Sequence, residues 1–195
     1  MKRNNQGVAW RGLVAALLAW VGPAAAGSGG SGATAALLRT TLTVADLDRS
    51  LAFYGLLGLA AESEMGGERN PDSAFPLNSR ATRWRLVIIA GAGGEGGRIG
   101  LLSFDAESPA PTRAATRDKI GLGDMVFVFD VPDAKAMHAK LSAAGADVVE
   151  EPFAYTSRQL DESGLALQGW VFHVFDPDGY LIEILEAPRR RPGPE

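Results

Sequence analysis

The interval from Val44 to Gly58 is repeated from Val131 to Gly145. In each copy a strand-like stretch ends on Val, a helix-like stretch follows, and a Gly stops it fourteen residues on. Such a duplication constrains the fold strongly, because each copy is one small unit that must bury its apolar face against a neighbour. In the first copy "LLRTTLTV", residues 37–44, alternates as a half-buried strand does, with Leu38, Leu42 and Val44 on one face and Arg39, Thr41 and Thr43 on the other. "ADLDRSLAFYGLLGL" follows, with Asp46 as cap, Leu47, Leu51 and Tyr54 at helical spacing and Gly58 as the stop. Residues 61–80 are polar, with Gly and Pro, and read as a loop. "TRWRLVIIAG" and "RIGLLSFD" read as two strands joined by a Gly-rich hairpin.

In the second copy "DMVFVFDV" puts Met125, Phe127, Phe129 and Val131 on one face of a strand. "PDAKAMHAKLSAAGA" is a helix entered at Pro132 and ended at Gly145, with His138 on its surface. "DVVEEPF" reads as a strand, residues 155–168 as a loop, and "GWVFHVF" and "YLIEIL" as closing strands across "DPDG". Each half is thus strand, helix, then two or three strands. That is an α+β chain with a helix behind each curved sheet, and the sheet face away from the helix lines a cup suited to a small molecule.

The N-terminus follows other rules. Lys2, Arg3 and Arg11 precede the apolar "GLVAALLAWVG" and the small-residue "PAAAGSGGSG". This is the pattern of a secretory signal, with cleavage after Ala26, against the alternative of a retained anchor. The apolar run is about half of the ~20 residues that span a bilayer, so no stable membrane insertion is expected after cleavage. The expected organisation is a signal at 1–26, a flexible leader at 27–36, a first module at 37–105, a linker at 106–120, a second module at 121–188 and a polar tail at 189–195. The expected location is periplasmic or extracellular.

The chain has no Cys, which excludes disulfides, thiolate zinc and thiol catalysis. Its two His, His138 and His173, cannot build a three-His metal site within one chain. With a net charge of −4 and no basic stripe, nucleic acid is not an expected partner. "GAGGEG", residues 91–96, matches a dinucleotide fingerprint, but a strand follows it where a helix is required, so a hairpin loop is expected. "RRR" at 189–191 reads as a solvated terminus. Trp84, Trp170, Phe75, Phe153 and Tyr155 are candidates for an aromatic pocket or for core, and alternation places Trp170 and His173 on opposite faces.

"LTVADLDRSLAFYGLLGL", "FVFDVPDAKAMHAKLSAAGADVVEEP" and "FDPDGYLIEILE" resemble, in order, the module openings and closing signature of the vicinal oxygen chelate superfamily, the glyoxalase, bleomycin-resistance and extradiol-dioxygenase group. The resemblance implies two βαβββ modules forming an open, cup-shaped mixed sheet with helices outside, a tendency to dimerise, and in enzymatic members a divalent metal in the cup. Four positions would supply its ligands. Here they are Arg39, Val126, Gly100 and Glu183, and only Glu183 keeps a family ligand.

One carboxylate does not displace the hydration shell of a divalent cation, and Arg39 is permanently charged. No cofactor is therefore expected, and an Arg39–Glu183 ion pair is expected where the metal would sit. Two functions follow. One is a metal-free module binding a small, partly apolar molecule, with Arg39, Thr41, Val126, Val128, His173 and Glu183 lining the pocket. The other is an enzyme with His173 and Glu183 as catalytic residues: a metal-dependent glyoxalase or dioxygenase, or a metal-independent lyase or isomerase.

Overall fold

The computed structural model describes residues 37–75, 80–91, 97–105, 119–160, 164 and 166–188. The expected signal, leader and polar tail, the loop residues 92–96 and most of the linker lie outside them.

The first half runs β1 (Thr40–Thr43), α1 (Leu47–Leu56), β2 (Ala60–Glu68), β3 (Arg83–Ala90) and β4 (Ile99–Phe104). The second runs β5 (Val126–Asp130), α2 (Ala134–Ala143), β6 (Asp147–Val148), β7 (Phe153–Leu160), β8 (Ala166–Phe175) and β9 (Leu181–Glu186). The first sheet has the order β1-β4-β3-β2. The second has the order β5-β9-β8-β6, with β7 also paired to β8. In both halves the first strand runs parallel to the last, as a crossover helix allows. Strands β6 and β7 pair with successive stretches of β8 and together take the place that β2 takes beside β3.

Both helices start where an Asp can cap them. Asp46 accepts from the Arg49 N–H at 3.0 Å, and Asp133 from the Ala136 N–H at 2.9 Å. Asp133, rather than Pro132, is the entry residue of α2. Gly58 and Gly145 both have positive φ just past the helix ends, a conformation that favours Gly at a helix stop.

One apolar core unites the halves. Leu42, Val44 and Tyr54 of the first half pack with Leu141, Phe172 and Ile184 of the second, all buried. Full burial of such side chains contributes roughly 1.5–3 kcal/mol each. The "DPDG" turn staples the halves as well. Asp176 accepts the Tyr54 hydroxyl at 2.9 Å and the Tyr180 N–H at 2.8 Å. Asp178 accepts the Ala45 N–H, the Arg49 guanidinium and the Ser50 hydroxyl at the start of α1.

Four local expectations are corrected. The expected strand over 147–153 is interrupted between Val148 and Phe153. Residues 61–68 form most of strand β2, and 155–160 most of strand β7, where loops were expected. Both lie at the side of a sheet and are exposed along most of their length, so no buried face imposes alternation on their sequence. His138 is half-buried rather than fully on the surface. It lies one helical turn from buried Ala134 and packs edge-on to Phe172 with centroids 5.2 Å apart.

Candidate functional site

Parity along the strands sorts side chains into those packed on the common core and those on the opposite face of each sheet. On that opposite face of the first sheet is a cleft of about 400 Å³. Its apolar walls are Phe75, Trp84, Leu86, Leu102 and Phe104, with Phe75 and Phe104 tilted together at 6.0 Å. Its polar lining includes Arg39, Thr41, Arg69 and Arg83, and no carboxylate is among the described lining residues. Arg39 is half-buried and donates its Nε–H to Thr41 Oγ1 at 3.1 Å. Asp105, nearby in the fold, is turned to the Thr82 hydroxyl and to the Thr82 and Arg83 N–H groups, which hold its carboxyl down at about 2.

The same face of the second sheet is built differently. Val128, Glu183 and His173 form one row across β5, β9 and β8. Glu183 is 4 % exposed. His173 Nε2 is 3.4 Å from Glu183 Oε2, and its Nδ1 is 2.7 Å from Glu150 Oε1. That Glu150 oxygen also accepts the His173 backbone N–H at 2.8 Å, in place of a strand carbonyl, because β6 and β7 are interrupted here. Burial opposes charge on the ring. The hydrogen bonds to Glu150 and Glu183, with their charges, outweigh it and raise the imidazole to about 9. The ring is thus an imidazolium clamped between two carboxylates at neutral pH. Glu183 Oε1 is buried without a hydrogen-bond partner.

The register shows which residues are equivalent. Thr41 faces Gly100 and Gly100 faces Ile88, just as Val128 faces Glu183 and Glu183 faces His173. Gly100 therefore stands where Glu183 stands in the other half. A Cβ on Gly100 would lie 2.9 Å from Thr41 Oγ1, 3.0 Å from Leu86 Cδ1 and 3.3 Å from Arg39 Cδ. That space is taken, and a ligating side chain cannot enter it without moving all three.

The residues present do not fit a divalent metal. The one carboxylate at a family ligand position, Glu183, has His173 beside it and no second carboxylate in its register row. Its counterpart position is a Gly covered by an arginine stem. Among the described residues no group of three or more His, Asp or Glu could hold an ion.

Of the six residues expected to line one pocket, Arg39 and Thr41 line the cleft. Val126, Val128, His173 and Glu183 stand on the second sheet, outside that lining. The expected Arg39–Glu183 ion pair is not formed, since Arg39 bonds to Thr41 and Glu183 faces His173. Trp84 and Phe75 are pocket walls, whereas Trp170 packs on the core under the Lys135 ammonium, on the opposite face from His173. Phe153 is exposed on β7, and Tyr155 lies over Gly169. Glu150 was missed in the sequence. It sits in no motif, and only the break between β6 and β7 brings it to His173.

The family model for the Glyoxalase/Bleomycin resistance protein/Dioxygenase superfamily matches residues 36–184. A glyoxalase family protein from Bacillus cereus aligns with a TM-score of 0.61 at 19% identity, over 82% of this chain and 98% of its own. The trypanothione-dependent glyoxalase I of Leishmania major aligns at 0.51 and 22%, over 78% and 87%. A glyoxalase I mutant from Zea mays aligns at 0.51 and 17%, over 78% of this chain but 45% of its own. At these identities the likeness is one of fold, which does not carry chemistry with it. No curated protein matches the chain.

Proposed function

The chain belongs to the Glyoxalase/Bleomycin resistance protein/Dioxygenase superfamily, and from that premise we propose that it binds a small, partly apolar molecule in the cleft of its first sheet without using a metal. The observation that carries this is the pairing of an open cleft of about 400 Å³ with a family ligand position, Gly100, already covered by Arg39, Thr41 and Leu86. The volume lies in the ordinary range of small-molecule sites, and the walls are chiefly apolar and aromatic. His173 and Glu183 hold each other on the second sheet and have no part in this cleft. The N-terminal basic, apolar and small-residue pattern supports export, so the ligand would be met outside the cytoplasm.

The test is calorimetric titration of the full chain, in excess chelator, with two probes of one shape: 2-naphthoate and the neutral 2-naphthalenemethanol. Binding of either that is abolished by Leu86→Trp, which fills the cleft, supports the proposal. No binding of either by folded protein overturns it. Stoichiometric metal in protein purified without chelator, lost in Glu183→Gln, would instead turn attention to a metallo-enzyme.

A further inference from the structure

We propose that the ligand of the cleft is an organic acid, an aromatic or alicyclic carboxylate or sulfonate whose anionic group seats on Arg39 and whose ring lies against Trp84, Leu86, Leu102 and Phe104. This rests on the binding site proposed above and adds the ligand's chemical class.

Arg39 differs from the arginines around it in lacking a carboxylate partner among the described residues. Arg49, Arg85 and Arg98 each meet a carboxylate, at 3.2 Å from Asp178, 2.7 Å from Glu64 and 2.5 Å from Glu62. All three are more exposed than a cation in need of a partner would be, with side chains 45–56% accessible. Arg39 is half-buried, and its one described polar partner is a neutral hydroxyl. The cleft therefore presents a cation with no carboxylate among its described lining residues, which an anionic ligand would neutralise. Arg83 lines the same cleft and adds potential of the same sign, within a chain whose net charge is −4.

The geometry also selects the kind of anion. Thr41 takes the Nε–H, which fixes the guanidinium plane and leaves the terminal nitrogens as a fork suited to two oxygens of one acid group. Gly100 lets the arginine stem lie flat on β4, since a Cβ there would be 3.3 Å from Arg39 Cδ. Thr41 and Gly100 are thus positioning residues for Arg39. An inorganic anion would leave the aromatic walls wet, whereas a ring would cover them, and stacking on Trp84 and Phe104 suits a flat body.

The same two probes, on the full chain in chelator, decide the matter. The expected result is that 2-naphthoate binds at least about tenfold more tightly than 2-naphthalenemethanol, equivalent to about 1.4 kcal/mol. The preference should shrink as salt rises from about 0.05 to 0.5 M, as screening requires. Arg39→Gln should cut this ratio of affinities to about twofold or less, and Arg39→Lys should keep part of it. Equal affinity of both probes, or a preference indifferent to salt and to Arg39→Gln, overturns the acid assignment and leaves the binding site standing. Failure of both probes overturns the two together.

Discussion

The two halves of the molecule keep one backbone register and fill it with opposite chemistry. The row Thr41–Gly100–Ile88 in the first sheet is the counterpart of Val128–Glu183–His173 in the second. Four residues further along the same faces, Trp84 lies opposite Gly67 in the first half, and Gly169 opposite Tyr155 in the second. The aromatic and the glycine have changed strands. In the first half this leaves a cleft with Trp84 as a wall. In the second, the Tyr155 ring lies over Gly169. Strand pairing depends on backbone groups and tolerates such exchanges, whereas a site depends on which side chain stands in each register position. A duplicated fold therefore predicts where a second site would be and says little about whether it survives.

The largest effect is expected on removing the cation of the second half. His173→Ala leaves Glu183 buried with no partner and is expected to cost about 3–5 kcal/mol in denaturant unfolding. Adding Glu183→Gln to that variant removes the stranded charge and should recover at least about 1 kcal/mol. A cost of under about 1 kcal/mol for His173→Ala would mean that the triad does not hold this sheet together.

The same triad predicts a pH dependence that the first half lacks. The folded-state pKa of His173, about 9, lies above its ordinary 6.5. Its contribution to stability is therefore fully present below about pH 6.5 and is lost as pH rises through about 9. Discounted for solvent screening at the partly exposed Glu150, the loss is on the order of 1–3 kcal/mol. It should be absent from the stability–pH curve of His173→Ala. A wild-type curve flat from pH 6.5 to 9 would contradict an imidazolium between Glu150 and Glu183.

Next come the glycines, where the two halves differ in how closely neighbours approach. A Cβ on Gly169 would lie 2.5 Å from the Tyr155 ring and 2.6 Å from the Glu186 carbonyl oxygen. Backbone cannot yield there, so Gly169→Ala should cost about 2–3 kcal/mol. On Gly100 the tightest contacts are the Thr41 hydroxyl at 2.9 Å and a Leu86 methyl at 3.0 Å, both ends of side chains that can turn. Gly100→Ala should cost about 1 kcal/mol and weaken 2-naphthoate binding by displacing Arg39. If the two substitutions cost the same, the first half is packed as tightly as the second, and its cleft is not free to accept a ligand.

The parts legible in the sequence share one property, which is burial on one side. Strands β3, β4, β5, β8 and β9 and both helices press one face on the core, so their apolar periodicity and caps are written in the residues. Strands β2 and β7 are exposed for most of their length and carry no such pattern. His138 could have been placed correctly, since Ala134, His138 and Leu141 share a helical stripe. The candidate site was half legible. Arg39 and Thr41 follow from parity along β1. The arrangement of Glu150 against His173 depends on a break in strand pairing, and the exchange of Trp84 and Gly169 depends on register, neither of which a periodicity reports.

The smallest effect is expected from Gly67→Ala. The two aromatic–glycine pairs would be mirror arrangements if Trp84 lay on Gly67 as Tyr155 lies on Gly169. They are not: a Cβ on Gly67 would sit 3.7 Å from the nearest Trp84 ring carbon, an ordinary contact with no backbone atom closer. Its φ lies outside the left-handed region, so alanine can adopt the native conformation there. Replacing glycine then chiefly restricts the unfolded chain, and the variant should be more stable by about 0.5 kcal/mol. A loss of more than about 1 kcal/mol would place the Trp84 ring down on its own glycine, as in the second half. In that event Trp84 would be strand packing rather than a pocket wall, and the acid-binding cleft would lose one of its flat faces.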